Sequence, residues 1–257
     1  MKFFKQRIDT PENIALFNAA RPFPHVVIDN AIDPLVLRAL VSKYPSVAEK
    51  KWWVYDNALE RKYAFNDLSQ LDPAFGAFFA EVNSPEFVEQ LGRIAGLENL
   101  VPDDSLQGGG LHQIARGGKL DVHEDFNVHH VLKAFRKLNM IVYLNEGWDA
   151  SWGGDLQLWN ADMTKCEKSV LPVFNRLVVF RTDMKSNHGH PEPLMCPEGV
   201  TRKSLAVYFY VPMTEEEWNT HSSTSTQFKR RPNDAVDPKI EELRARRNKG
   251  RVADKTT

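Results

Sequence analysis

The sequence predicts a mostly β chain with helices (α+β), in which helices come first and a β-barrel or sandwich follows. Two observations carry this. Apolar residues at helical spacing stop near residue 96, and from about residue 106 short apolar runs bounded by Gly, Asn, Asp and Pro succeed one another. A third is size: 257 residues, 42% of them hydrophobic, suffice for one domain with a full core.

Taken in order, residues 11–30 read as irregular, with three prolines, and end in a short strand at His25–Ile28. Asp33 and Pro34 open a helix, because Asp is a good N-cap and proline fits the first turn. Val36, Leu37, Leu40 and Val41 give it one apolar face, and Tyr44-Pro45 closes it. Residues 48–70 show no clean period. Pro73 starts a second helical region over Phe75–Phe79. Ser84-Pro85 interrupts it and starts a third, which carries Phe87, Val88 and Leu91 on one face and ends at Gly96.

The strands then read as Leu111–Ala115, Lys119–His123, Leu138–Leu144, Leu156–Trp159, Arg176–Phe180 and Lys203–Val211. One domain thus spans 1–213, with helical support over about 1–105 and a β core over about 106–213. Residues 214–257 read as a charged, partly disordered tail. From Phe228 to Thr257 ten Lys/Arg stand against five Asp/Glu, and Ile240–Arg247 has the composition for one or two helical turns. A basic arm for an acidic partner is the sharper reading of the same charges.

Net charge is −1, which argues against a dedicated nucleic-acid or membrane surface. Two cysteines, Cys166 and Cys196, are too few for a disulfide scaffold and lack zinc-finger spacing. The start, Met1-Lys2-Phe3-Phe4-Lys5, has no apolar run of signal-peptide length, and no stretch approaches a spanning helix. These features lead us to expect a cytoplasmic protein.

The chemistry concentrates in Leu120-Asp121-Val122-His123-Glu124-Asp125. Residues two apart on a strand share a face, so His123 and Asp125 would project together. An imidazole and a carboxylate are two of the three ligands of the facial triad that suits non-haem Fe(II). Alone, such a triplet is also what a surface strand with a solvated Asp would show. On spacing, His188 or His190 in Ser186-Asn187-His188-Gly189-His190 is the third ligand. Arg202 precedes the last strand, and its planar fork would suit a carboxylate.

Seven motifs stand in order: His123-Glu124-Asp125; Tyr143-Leu144-Asn145; Trp148; Gly153-Gly154-Asp155-Leu156; Asn175-Arg176-Leu177-Val178-Val179-Phe180; Ser186-Asn187-His188-Gly189; and Arg202-Lys203-Ser204-Leu205. Over about residues 105–212 the chain resembles the prolyl-4-hydroxylase-like branch of the 2-oxoglutarate/Fe(II)-dependent dioxygenases. The resemblance implies a double-stranded β-helix (a jelly-roll, cupin-like barrel) buttressed by the N-terminal helices. It implies His123, Asp125 and His188 as catalytic iron ligands, His188 being preferred to His190 by the Ser-x-His-Gly form. It implies Arg202 and Tyr143 on the distal carboxylate of 2-oxoglutarate, with Leu156, Ser204 and Gln113 also in the co-substrate pocket. Gln113 is a departure, standing where some relatives carry tyrosine. The 14-residue spacing from His188 to Arg202 is another, longer than the family's.

The implied reaction needs Fe(II), 2-oxoglutarate and O2, with ascorbate as a candidate reductant. 2-Oxoglutarate would become succinate and CO2 while a substrate is hydroxylated. The substrate, a peptidyl proline or a small molecule, is not legible; membrane and nucleic-acid partners are not expected. Asp125 favours hydroxylation over halogenation. The competing class is a non-catalytic jelly-roll binding module with a relict metal site, but it has no need of an arginine opposite a metal. A zinc hydrolase would lack a base, since Glu124 should face away. His129 and His130 fall in a long loop over 126–137 that reads equally as a lid or as exposed surface. His112 reads as a core histidine with its hydrogen bonds satisfied. Trp148, Trp152 and Trp159 read as packing rather than a substrate wall.

Overall fold

Five of the six α-helices among the described residues begin with one local device, a side-chain cap followed at once by proline. They are α1 (Pro11–Ala19), α2 (Pro34–Val41), α3 (Pro73–Val82), α4 (Pro85–Ala95) and α6 (Pro238–Lys249). The caps are Thr10, Asp33, Asp72, Ser84 and Asp237, each accepting from a backbone N–H of the first turn. α5 (Glu215–Thr220) uses a capping box between Thr214 and Glu217 instead. The computed structural model describes residues 2–182 and 185–249.

The strands run β1 (His25–Asp29), β2 (Trp53–Asp56), β3 (Glu60–Phe65), β4 (Val101–Pro102), β5 (Gly110–Ala115), β6 (Lys119–Glu124) and β7 (Val128–His129). They continue with β8 (Ala134–Tyr143), β9 (Leu156–Trp159), β10 (Cys166–Val170), β11 (Arg176–Arg181), β12 (His188–His190), β13 (Thr201–Pro212) and β14 (Gln227–Phe228). They pair antiparallel in the order β1-β11-β8-β13-β5-β3-β6-β12-β9-β10, a nearly closed barrel of the double-stranded β-helix type.

Alternation along the long strands divides the core in two. Leu138, Met140 and Val142 of β8 face the helices, with Leu177 and Val179 of β11 and Leu205, Val207 and Phe209 of β13. There they meet Phe75, Phe78 and Phe79 of α3 and Phe87 and Leu91 of α4. The opposite faces fill the barrel with Tyr143, Val178 and Phe180, joined by Leu156 and Leu158 of β9. The helices thus brace one sheet of the barrel and leave its interior to the site.

Three expectations change. Residues 11–30 are not irregular throughout: α1 forms, with Phe17 as its one buried residue. Residues 48–70 supply β2 and β3, and β3 enters the barrel between β5 and β6. The segment from 214 carries α5, β14 and α6 laid along the barrel. β14 pairs with β6, and Asn248 accepts from the Phe228 N–H at 2.7 Å and donates to its carbonyl at 3.0 Å. Composition could not register this, because one buried phenylalanine and a few polar bonds anchor the segment. Residues 250–257 of that tail lie outside the described residues.

Phe78 is fully buried and packs edge-on against both Phe3 and Phe79. Phe78→Ala should therefore cost about 3–5 kcal/mol in urea unfolding.

Candidate active site

His188 on β12 stands directly across from His123 on β6. Nδ1 of His123 lies 2.9 Å from the carbonyl of Asp121, and Nδ1 of His188 lies 2.8 Å from the carbonyl of Ser186. A carbonyl only accepts, so each Nδ1 carries a proton, and the neutral tautomer fixed in this way has its lone pair on Nε2. The two Nε2 atoms lie 3.5 and 3.4 Å from Oδ1 and Oδ2 of Asp125. One ligand atom from each of the three residues lies within 4.8 Å of the others. Phe180 and Phe228 flank the two imidazoles, with ring centroids 4.8 Å from His188 and 5.7 Å from His123.

Asp125 is held from behind. Asn139 Nδ2 donates to its Oδ2 at 2.8 Å, and Arg136 Nη2 sits 3.0 Å from the same oxygen. Arg136 is itself clamped between the rings of Phe126 and Tyr208, at 4.5 and 3.4 Å, and bonds Asn139. Burial alone would raise the Asp125 carboxyl, but Arg136, His188 and His123 outweigh it and hold it well below the ordinary carboxylate range. Burial drives His188 down to about 4, against the pull of Asp125. The set is therefore an ionised carboxylate with two imidazoles, the ligand types that a divalent metal of the iron type takes.

These residues line a cavity of about 240 Å³. Arg202 of β13 faces the same cavity and is 5% exposed. Its Nε donates to the carbonyl of Gly154 at 2.7 Å, and its Nη2 lies 3.2 Å from the Tyr143 hydroxyl. Gly154 takes φ +81°, and a Cβ there would come within 2.7 Å of Leu194, so the close approach to Arg202 needs glycine. Among the described residues no carboxylate pairs with Arg202. A buried guanidinium held in this way calls for an anion.

Tyr143, Leu156 and Ser204 also line the cavity. Gln113 does not: its amide donates to the Pro45 carbonyl and accepts from Thr201. On β5 it is His112 and Ile114 that face inward. The Nε2 of His112 is buried without a partner, so this is not the satisfied core histidine that the sequence implied. Burial, with Lys62 adding to it, brings His112 down to about 3. His190 lines the cavity but stays outside the three-residue cluster, and neither of its ring nitrogens has a partner.

Glu124 turns away toward Lys229, at 3.4 Å. His129 is no lid residue: it is buried on β7, 3.3 Å from Asp103 and edge-on to Tyr210. His130 lies against Trp218. None of Trp148, Trp152 and Trp159 lines the cavity. The sequence reading missed Arg136, Asn139, Lys62, Phe228 and Arg247, all of which do line it. For Asn139 a signal existed, since it alternates with the apolar Leu138 and Met140; Arg136 shares their parity and turns inward only because the β8–β13 register shifts between Arg136 and Leu138.

The family model of the 2OG-Fe(II) oxygenase superfamily matches residues 109–210. The mouse (Mus musculus) prolyl 3-hydroxylase OGFOD1 is 35% identical over 81 residues, which are 30% of this chain and 14% of that protein. The chain thus spans about a seventh of that relative. A prolyl-4-hydroxylase from Pseudomonas putida superposes with a TM-score of 0.56 at 20% identity, covering 78% of this chain and 100% of that one. A Trichoplax adhaerens prolyl hydroxylase, solved with a hypoxia inducible factor peptide fragment, gives 0.54 at 16% identity over 82% and 94%. HygX from Streptomyces hygroscopicus, solved with nickel, 2-oxoglutarate and hygromycin B, gives 0.53 at 14% over 79% and 88%. At these identities the structures show a shared fold.

Two predictions follow from the geometry. A Cβ on Gly189 would fall 2.8 Å from the Leu120 carbonyl and 2.9 Å from that of Asp121, prying β12 off β6. Gly189→Ala should weaken Mn(II) binding at least about tenfold by spin resonance. Gly76→Ala on α3, where an added Cβ meets nothing within 4 Å, should leave it unchanged. The second concerns pH. His112 and His188 fall to about 3 and about 4 from 6.5, so below pH 6.5 the unfolded chain binds more protons than the folded one. The stability of metal-free protein should be fully present above pH 6.5 and decline as pH falls toward these values. Urea midpoints at stepped pH should show this, and His112→Asn should flatten the slope.

Proposed function

We propose that this chain, a member of the 2OG-Fe(II) oxygenase superfamily through residues 109–210, is an Fe(II)- and 2-oxoglutarate-dependent oxygenase that hydroxylates its substrate. One observation carries the reading. The cavity that holds the His123–Asp125–His188 cluster also holds a buried arginine without a carboxylate. A metal-binding module would require the cluster alone. A co-substrate with an oxo-acid end for the metal and a distal carboxylate for an arginine requires both.

In this reading His123 and His188 hold Fe(II) through Nε2 and Asp125 through its carboxylate. Iron bound there supplies the redox chemistry that couples oxidative decarboxylation of 2-oxoglutarate, with O2 as oxidant, to hydroxylation of the substrate. The protein does the rest by position. The carbonyls of Asp121 and Ser186 fix both imidazole tautomers. Asn139 and Arg136 orient Asp125 and keep it ionised. Arg202 and the Tyr143 hydroxyl take the distal carboxylate, and Leu156 and Ile141 exclude water along the co-substrate. A peptide or a small molecule is the substrate. The prolyl 3-hydroxylase and the peptide-bound prolyl hydroxylase among the similar proteins support the first.

Both cysteines are free, which supports a reducing, cytoplasmic setting. Among the described residues no helix is long and apolar enough to cross a membrane.

The test is anaerobic loading with Fe(II) and 2-oxoglutarate, read as a metal-to-ligand visible absorption band. Asp125→Ala should abolish the band. Arg202→Ala should require about a hundredfold more 2-oxoglutarate, as expected for losing one side of a buried ion pair. A folded, metal-loaded parent without a band would overturn the assignment in favour of the binding module.

A further inference from the structure

The cavity walls carry four permanent cations, Lys62, Arg136, Arg202 and Arg247, against two carboxylates, Glu60 and Asp125: 4 − 2 = +2. The oxygenase reading adds the two positive charges of iron and the two negative charges of 2-oxoglutarate, which cancel. The excess therefore survives loading and is left for whatever enters last.

Two of the cations are already committed. Arg202 belongs to the co-substrate. Arg136 is fixed by Asp125, Asn139 and its two flanking rings. The other two share one counter-ion at the mouth. Arg247 Nη2 lies 2.5 Å from Glu60 Oε1, and Lys62 Nζ lies 3.4 Å from Glu60 Oε2. Glu60 is buried, and one carboxylate neutralises only one of them. Both cations keep access to the opening, with side-chain exposures of 34% and 18%. Both are also held in place: Arg247 stands over the Phe228 ring at 5.2 Å and Lys62 over the Tyr55 ring at 4.9 Å.

From this we infer that the substrate is an anion, and that Arg247 and Lys62 receive its carboxylate or phosphate group at the mouth of the cavity. The inference rests on the oxygenase reading and adds the substrate's charge to it. An unmatched positive charge in a walled cleft raises the local concentration of anions and favours their binding. Thr226, beside Phe228 on the same wall, offers a hydroxyl to the incoming group. Neither cation belongs to the matched core: Lys62 lies before residue 109, and Arg247 lies on α6 beyond residue 210. The selectivity is therefore a property of this chain's added segments.

The experiment is calorimetric titration of the anaerobic Fe(II)·2-oxoglutarate complex, at low salt, with methyl phosphate in one arm and acetate in the other. The absorption band is recorded first for every protein used. We expect saturable binding of at least one anion. It should weaken about tenfold in Arg247→Gln and in Lys62→Gln, each of which removes one charge-assisted contact. It should tighten in Glu60→Gln, which frees both cations. The arm that binds identifies phosphate or carboxylate as the group recognised. If the band is present and neither anion saturates the parent, or Arg247→Gln binds as the parent does, the inference fails alone. If the band is absent in the parent, the inference falls together with the oxygenase reading.

Discussion

The pairing of β12 against β6 is the constraint on which the site depends. β12 is three residues long, yet it places His188 opposite His123 in register. A slip of β12 by one residue would turn His188 away from His123. The pairing survives because Gly189 lets the two backbones approach more closely than any side chain permits. The backbone carbonyls that fix the imidazole tautomers belong to these two strands and their approach, at Asp121 and Ser186. Geometry and protonation are thus set by one structural decision, before any ligand binds.

A second layer protects that decision. Asp125 lies just past the end of β6, where a strand alone would hold it loosely. Asn139 and Arg136, both from β8, fix one of its oxygens, and Phe126 and Tyr208 fix Arg136 in turn. A carboxylate that burial would drive toward its neutral form is kept charged by a guanidinium that is itself immobilised. The four N-terminal helices contribute indirectly. They cover the outer faces of β8, β11 and β13, and so fix the strands from which Asn139, Tyr143 and Arg202 project inward.

How much of this was legible follows from which signals are local. The helices announced by cap, proline and apolar spacing together were read correctly; α2, α3 and α4 show all three. α1 has the same cap and proline but a weak apolar face with one buried residue, and so it passed for irregular chain. The long strands alternate or run apolar and were plain, except that β8 begins at Ala134, inside what read as the 126–137 loop. β2, β3, β12 and β14 were not, because their stability lies in partners distant in sequence and their own residues carry no apolar period. Among the residues that line the cavity, those inside motifs were readable. Gln113 was placed one position off because the motif did not fix the register of β5; the neighbours His112 and Ile114 face the cavity. Arg247 and Phe228 were out of reach, since nothing in a basic, polar stretch says that its one phenylalanine will be buried.

The same contrast divides the molecule by purpose. Residues that would manage metal and co-substrate sit on or next to β6, β8, β12 and β13, within residues 109–210, the segment that the family model matches. Residues at the mouth come from β3, before that segment, and from the stretch between Thr226 and Arg247, after it. Chemistry shared across a family must keep its geometry, so it belongs on paired strands at the barrel centre. Recognition that differs between members is better placed on segments that can change without disturbing those strands. Here the two outer segments meet at a single buried carboxylate, Glu60, which ties the chain's beginning to its end across the opening. The contact that closes the fold over the cavity is thus also a contact that sets the cavity's charge, and a change in either flank would alter what the enclosed His123–Asp125–His188 cluster is offered.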